Sequence, residues 1–280
     1  MTETVAHPNF AWITEAERQE YEPDRRLPTW ARRSHPLVRR HLGLKTKIAT
    51  PDLEFLVKLF AWEIVAVLTS FPVPFLLELL MLAIIASAAY LPIVALVYFR
   101  SLFFIITSSV NAIAEERKDD ALSVLRTIPL SFRQIMLAKI AAGVWKQAET
   151  LELILLAVVL LSLPATLIHY AIIWPAGQSI ELLRVLSLCG VVVAIARTML
   201  EPVMAGALGI LVGSMTPLRI SATSMAAILL AAYYVLTNLI RLLPLSWGMW
   251  LVVELVLPVV LPLLITWGAL RVSEYLLCKD

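Results

Sequence analysis

Arg197 and Glu201 stand four residues apart inside an otherwise apolar run, a spacing that puts a guanidinium and a carboxylate on one face of a helix. In a bilayer such a pair is either a polar point along a translocation path or a neutralised strut between helices. Glu78, Arg100 and Glu254 are single charges in similarly apolar surroundings, with snorkelling or interfacial placement as the default for each. A denser group, Glu115, Glu116, Arg117, Lys118, Asp119 and Asp120, follows an apolar stretch and precedes leucines at helical spacing. Both groups suit recognition and force transfer more than bond breaking. Cys189 and Cys278 lie far apart, and His7, His35, His41 and His169 are scattered, so neither a disulfide framework nor a metal-ligand spacing is formed. No Gly-x-Ser-x-Gly elbow occurs, and the nine glycines include no phosphate-cradling Gly-x-x-x-x-Gly-Lys-Ser/Thr loop. The chain is therefore expected to have no catalytic, cofactor or metal site of its own.

The elements that must carry these residues follow from composition. Hydrophobic residues make up 60% of the 280 and charged residues 16%, more apolar than a soluble core requires. A helix needs roughly 20 apolar residues to cross the hydrocarbon. The stretch from Leu153 to Ile180 has no Asp, Glu, Lys or Arg, and neither does Ile220 to Ile240. No segment shows the alternation of a transmembrane β-barrel strand. The expected fold is all-α: a polytopic membrane protein with six transmembrane helices.

Charge asymmetry orients it. Ten of the 23 Lys and Arg residues lie from Arg18 to Lys58, and six more from Arg117 to Lys146. By the positive-inside rule both regions face the cytoplasm, with two crossings between them. Residues 1–50 are expected to form a cytoplasmic arm, without the features of a signal peptide, whose Arg25–Arg26, Arg32–Arg33 and Arg39–Arg40 pairs suit either anionic lipid or topology alone. Residues 51–280 form the membrane domain. Two divisions of its start are open. In one, residues 53–71 lie as an interfacial amphipathic helix and Phe75–Tyr90 and Pro92–Ile113 are the first two spans. In the other, residues 53–71 are the first span and Phe75–Ile113 is a single long second span kinked at Pro92. Further spans fall within Ile140–Tyr170, Leu186–Gly213, Ile220–Leu242 and Trp250–Leu276, which places both termini in the cytoplasm of a cell-membrane protein.

The charged segment has its own architecture. Ala121, Leu122, Leu125 and Ile128 share a helical face, and Pro129 ends that helix. Ser131 and Gln134 have capping-box spacing, so a new helix is expected from Phe132. A short cytoplasmic helix over about 114–128 is thus set between spans two and three.

This segment resembles the hallmark of ABC-2-type transporter permeases: an acid–Arg pair at Glu116–Arg117, leucines at Leu122 and Leu125, a Pro-Leu-Ser break at Pro129–Ser131, and Lys139 beyond it. Asp120 and Ala121 depart from the Gly-Thr common in that family. The resemblance is strongest over about 30 residues and continues weakly through Gly206–Ala227. It implies a permease subunit, expected to export a substrate, with a coupling helix in which Glu115, Glu116, Arg117, Leu122, Leu125 and Pro129 engage a separate ABC ATPase that binds ATP and Mg. It further implies a second copy of this chain or a related permease as partner, with no nucleic acid. A secondary carrier using Arg197, Glu201, Glu78 and Glu254 as an ion relay, and a non-transporting membrane scaffold, are the alternatives.

Overall fold

The computed structural model describes residues 24, 27–43, 53–69, 72–73, 75–118, 130–173, 180–216 and 218–279. Every regular element among them is helical. After a 3-10 turn at Thr29–Ala31 come α1 (Pro36–Leu42), α2 (Leu53–Thr69), α3 (Phe75–Lys118), α4 (Phe132–Trp145), α5 (Ala148–Ile173), α6 (Ile180–Met215) and α7 (Arg219–Arg241). Helix α8 (Trp247–Leu251) then passes through a π-helical turn at Val252–Val256 into α9 (Leu257–Lys279). Among the described residues, five helical stretches are long and apolar enough to cross a membrane: Ala89–Glu116, Ala148–Thr166, Leu182–Met215, Arg219–Arg241 and Trp247–Cys278.

The apolar runs locate these helices to within a few residues, and two boundaries carry new information. Pro92 lies inside one continuous 44-residue helix, so Phe75–Tyr90 and Pro92–Ile113 are parts of a single element, as in the second of the two divisions. The span expected within Ile140–Tyr170 is found as Ala148–Thr166 of α5, and it is preceded by a separate helix, α4, that ends at Trp145, with Lys146–Gln147 between the two.

Helix α6 is the hub, packed against α3, α4, α5, α7 and α9. Small residues permit its closest approach. A Cβ at Gly209 would lie 2.8 Å from the Ile106 carbonyl oxygen and 3.0 Å from Ser109 Cβ, and one at Gly213 would meet Val110 at 3.4 Å. The Ala205, Gly209, Gly213 stripe is thus used within the chain, against α3. Around it, Leu102, Ile106 and Val110 of α3 meet Met204, Leu208 and Val212 of α6 and Ala222, Ala226 and Tyr233 of α7 in one buried cluster.

The segment before α1 is docked onto α4. Leu37, Val38 and Leu42 pack against Ile135, Ala138 and Ala142, and the Trp145 indole donates to the Ala31 carbonyl at 2.8 Å. Buried Arg33 lies over the Trp145 ring and grips Asp24 through two side-chain hydrogen bonds of 2.8 and 3.0 Å. Thus part of the N-terminal arm braces the helix that follows the charged segment.

Candidate functional site

Helix α6 supplies the centre of the site. Arg197 Nε lies 2.5 Å from Glu201 Oε1, and the Glu201 side chain is 1% exposed. One arginine cannot satisfy a carboxylate with about four lone-pair sites. Three tyrosines complete the shell. Tyr98 of α3 donates to Oε2 at 2.9 Å, Tyr233 of α7 donates to Oε1 at 2.9 Å, and Tyr234 donates to Oε2 in a short contact. The Arg197 guanidinium also lies 5.3 Å from the centre of the Tyr234 ring, a cation–π arrangement.

Pro202 helps aim this shell. A proline inside a helix removes the donor that would reach the carbonyl four residues back, here Thr198. The Tyr98 hydroxyl approaches that carbonyl oxygen at 3.5 Å while donating to Glu201. The helix defect and the carboxylate therefore meet one side chain of α3.

A second acid sits by the C-terminal end of α7. Glu254, in the π-helical turn, is 3.1 Å from Arg241 Nε and 3.7 Å from His169 Nε2. A π turn widens the helix by one residue and re-aims its side chains. Here it joins α7 and α5 through Glu254. Tyr234 and Arg241 are seven residues apart on α7, about 10 Å at 1.5 Å per residue, so the two clusters occupy different depths.

Both clusters open onto one cavity of about 500 Å³ among α3, α5, α6, α7 and the last helix. Arg197, Glu201, Arg241, Glu254 and His169 share its wall with apolar residues such as Leu91, Val94, Val158 and Pro258. Ser162 also lines it, and its buried hydroxyl has no hydrogen-bond partner among the described residues. The space offers apolar surface together with two paired charge centres.

At one end of the bundle, the charged segment is tied to the helices. Glu116, on the last turns of α3, and Lys139 of α4 form a buried ion pair in close contact, and Lys139 Nζ also donates to the Ala112 carbonyl at 3.2 Å. Glu115 reaches Arg219 at the start of α7, 3.7 Å away. The capping box is present: Ser131 Oγ accepts from Gln134 N–H, and the Gln134 side chain accepts from Ser131 N–H, each at 3.3 Å.

The structure thus brings Arg197 to Glu201 and gives Glu115 and Glu116 separate partners. Arg117 belongs to the last turn of α3, which continues through residues 114–118 without a break. Leu122, Leu125 and Pro129, and with them most of the expected coupling helix, lie outside the described residues. Glu78 falls on the first turn of α3, and Arg100 is exposed on the same helix. The tyrosines, His169 and Arg241 have no local sequence signature as ligands of a carboxylate. The adjacent Tyr233–Tyr234 pair in an otherwise apolar helix is the signal that could have pointed to a polar contact. Among the described residues no group of three His, Cys, Asp or Glu side chains could hold a metal ion.

No protein-family profile, characterised protein or solved structure matches the chain.

Proposed function

We propose that this chain is the permease subunit of an ATP-binding-cassette transporter, moving an amphipathic substrate through the central cavity under the drive of a separate ATPase. In this reading α2, α3, α5, α6, α7 and the α8–α9 helix are six spans, both termini are cytoplasmic, and two such chains assemble. The 17 residues of α2 cover about 26 Å, close to the hydrocarbon thickness.

The buried Glu116–Lys139 pair carries the proposal. It joins the helix entering residues 119–129 to the helix leaving them, while α4 packs directly on α3 and on the hub helix α6. A push delivered to that segment from the cytoplasm would reach α6, and through it the Glu201 cluster, by rigid contacts. Opening the cavity at the Glu254 end would separate α5, α7 and the last helix at one charge centre. Opening it at the other end would separate α3, α6 and α7 at the Glu201 centre.

The test is purification from native membranes followed by assay in proteoliposomes. A Walker A-containing ATPase should co-purify, its activity should be stimulated by the chain, and Leu122→Ala with Leu125→Ala should abolish stimulation while insertion persists. A chain that transports without ATP and stops when a protonophore is added would instead be an ion-coupled carrier. That second reading is favoured by the presence of Glu201, Glu254 and His169 on one cavity wall.

A further inference from the structure

Arg100 of α3 is exposed, and no group among the described residues makes an ion pair or hydrogen bond with it. Leu96, Phe103 and Phe104 are exposed on the same side of that helix. Glu63 of α2 falls three residues after Phe60 and four before Val67, on the face that packs against Leu163 and Val191. The residue is half-buried, its Oε2 is buried, and no described group hydrogen-bonds to that oxygen. The other charges of α2, Glu54 and Lys58, pair with each other at 2.6 Å. A base and an acid inside membrane spans are costly unless something neutralises them.

The packing sets these two charges at one depth. Tyr98 and Tyr234 both reach Glu201, and Arg241, beside Glu254, lies seven residues beyond Tyr234. Arg100 is two residues from Tyr98 in the opposite direction, toward the Glu115–Arg219 contact, which sets it roughly 13 Å from the level of Glu254. On α2, Leu56 packs with Leu155 and Val159, and Val67 with Leu163, so Glu63 lies beside positions 160–161 of α5. His169, also beside Glu254, is eight or nine residues further along α5, again roughly 13 Å. Arg219 and Arg241 stand at the two ends of α7, so both charges are well inside the apolar layer.

We propose that two copies of this chain pair about a two-fold axis normal to the membrane, with Arg100 of each copy donating to the Glu63 carboxylate of the other. Such an axis leaves depth unchanged, and an isologous interface makes every contact twice. Equal depth and opposite sign are what a reciprocal pair requires, whereas a face built for lipid alone has no use for either charge. Within one copy the two side chains make no ion pair with each other. They lie on helices joined through residues 70–74, and the exposed apolar residues beside Arg100 are covered by the same contact. This pairing rests on the reading of α2 and α3 as spans, and it fixes the surface through which two such chains assemble.

The experiment uses the full-length chain, labelled with one of two fluorophores, in lipid vesicles over a range of protein-to-lipid ratios. Dimers are counted by single-molecule photobleaching and two-colour colocalisation. The parent should dimerise. Arg100→Glu sets acid against acid and Glu63→Arg sets base against base, so each alone should weaken dimerisation at least about a hundredfold. Mixed together, the two variants should pair with each other as the parent does, because both contacts then join opposite charges. Should either reversal fail to insert, Glu63→Cys in one copy and Arg100→Cys in another, both carrying Cys189→Ser and Cys278→Ser, should be joined by a short bis-maleimide that joins neither copy to itself. A monomeric parent, as for an Arg100 that snorkels to the interface, overturns the proposal. So do dimers that both reversals leave intact, inserted reversals that do not pair when mixed, or the absence of that cross-link. Trp62→Cys, at an exposed position of α2 and in the same serine background, tests the span reading separately. Its reaction with a membrane-impermeant maleimide would withdraw the span and the pairing together, whereas its protection alongside any failure above defeats the pairing alone.

Discussion

Glu116 and Lys139, 23 positions apart in the chain, form a buried ion pair that joins the end of α3 to the middle of α4. Their side chains are 7% and 1% exposed, so neither charge has water as an alternative partner. Removing one strands the other. Lys139→Met should destabilise the protein by about 3–5 kcal/mol, and Glu116→Leu by a similar amount. The double variant should recover most of that loss, because no unpaired charge remains. Denaturant unfolding of the two single variants and the pair decides it. Strictly additive losses would mean that the two side chains are not coupled.

Three phenol hydroxyls satisfy Glu201, so each contributes to holding α6 against its neighbours. Tyr98→Phe, Tyr233→Phe and Tyr234→Phe should each cost about 1–3 kcal/mol, as expected when a buried acceptor loses a donor. Pairs of these substitutions should be non-additive, because the donors share one carboxylate. Thermal unfolding of the set measures both. Stabilities unchanged in all three would remove Glu201 as the organising centre of the site.

Two glycines of this chain should respond oppositely to the same methyl group. Gly209→Ala forces a Cβ onto the backbone of α3 and should cost about 1–3 kcal/mol. At Gly268 of α9 a Cβ meets nothing within 4 Å, so Gly268→Ala should be neutral or stabilising by up to about 1 kcal/mol. Paired melting curves test the contrast, and equal effects would contradict the close α3–α6 packing.

The His41 imidazole gives stability a pH dependence whose sign is fixed. Its folded pKa of about 4 lies below the ordinary value of 6.5, so between these limits the unfolded chain binds the proton and the folded chain does not. Stability from this group is complete above pH 6.5 and is lost as pH falls toward 4. Burial lowers the His35 pKa as well, adding in the same direction. Tm measured from pH 4.5 to 7.5 should therefore rise with pH, and His41→Gln should flatten the slope. A slope unchanged in that variant would place its origin elsewhere.

Local pattern carried much of the fold. Apolar runs located α5, α6, α7 and the last helix, and the Ser131–Gln134 capping box marked the start of α4, because both signals act over a few residues. The Arg197–Glu201 contact was readable for the same reason, being set by helical spacing. The break between α4 and α5 was not readable, because Lys146–Gln147 contain neither Gly nor Pro. The tyrosines around Glu201 and the partners of Glu254 come from separate helices, and no local rule specifies which faces those helices turn to one another.

Spacing also orders biosynthesis. A lone charge inserting into the bilayer costs about 2.5–3.5 kcal/mol. Arg197 and Glu201 can neutralise each other as soon as the turn between them forms, before α7 exists, so α6 can enter the bilayer as a neutral unit. Glu254 has no such local partner, but Arg241 and His169 both precede it in the chain and are in place when it emerges. For Glu201 and Glu254, the two acids of the central cavity, a basic partner is thus synthesised before the acid.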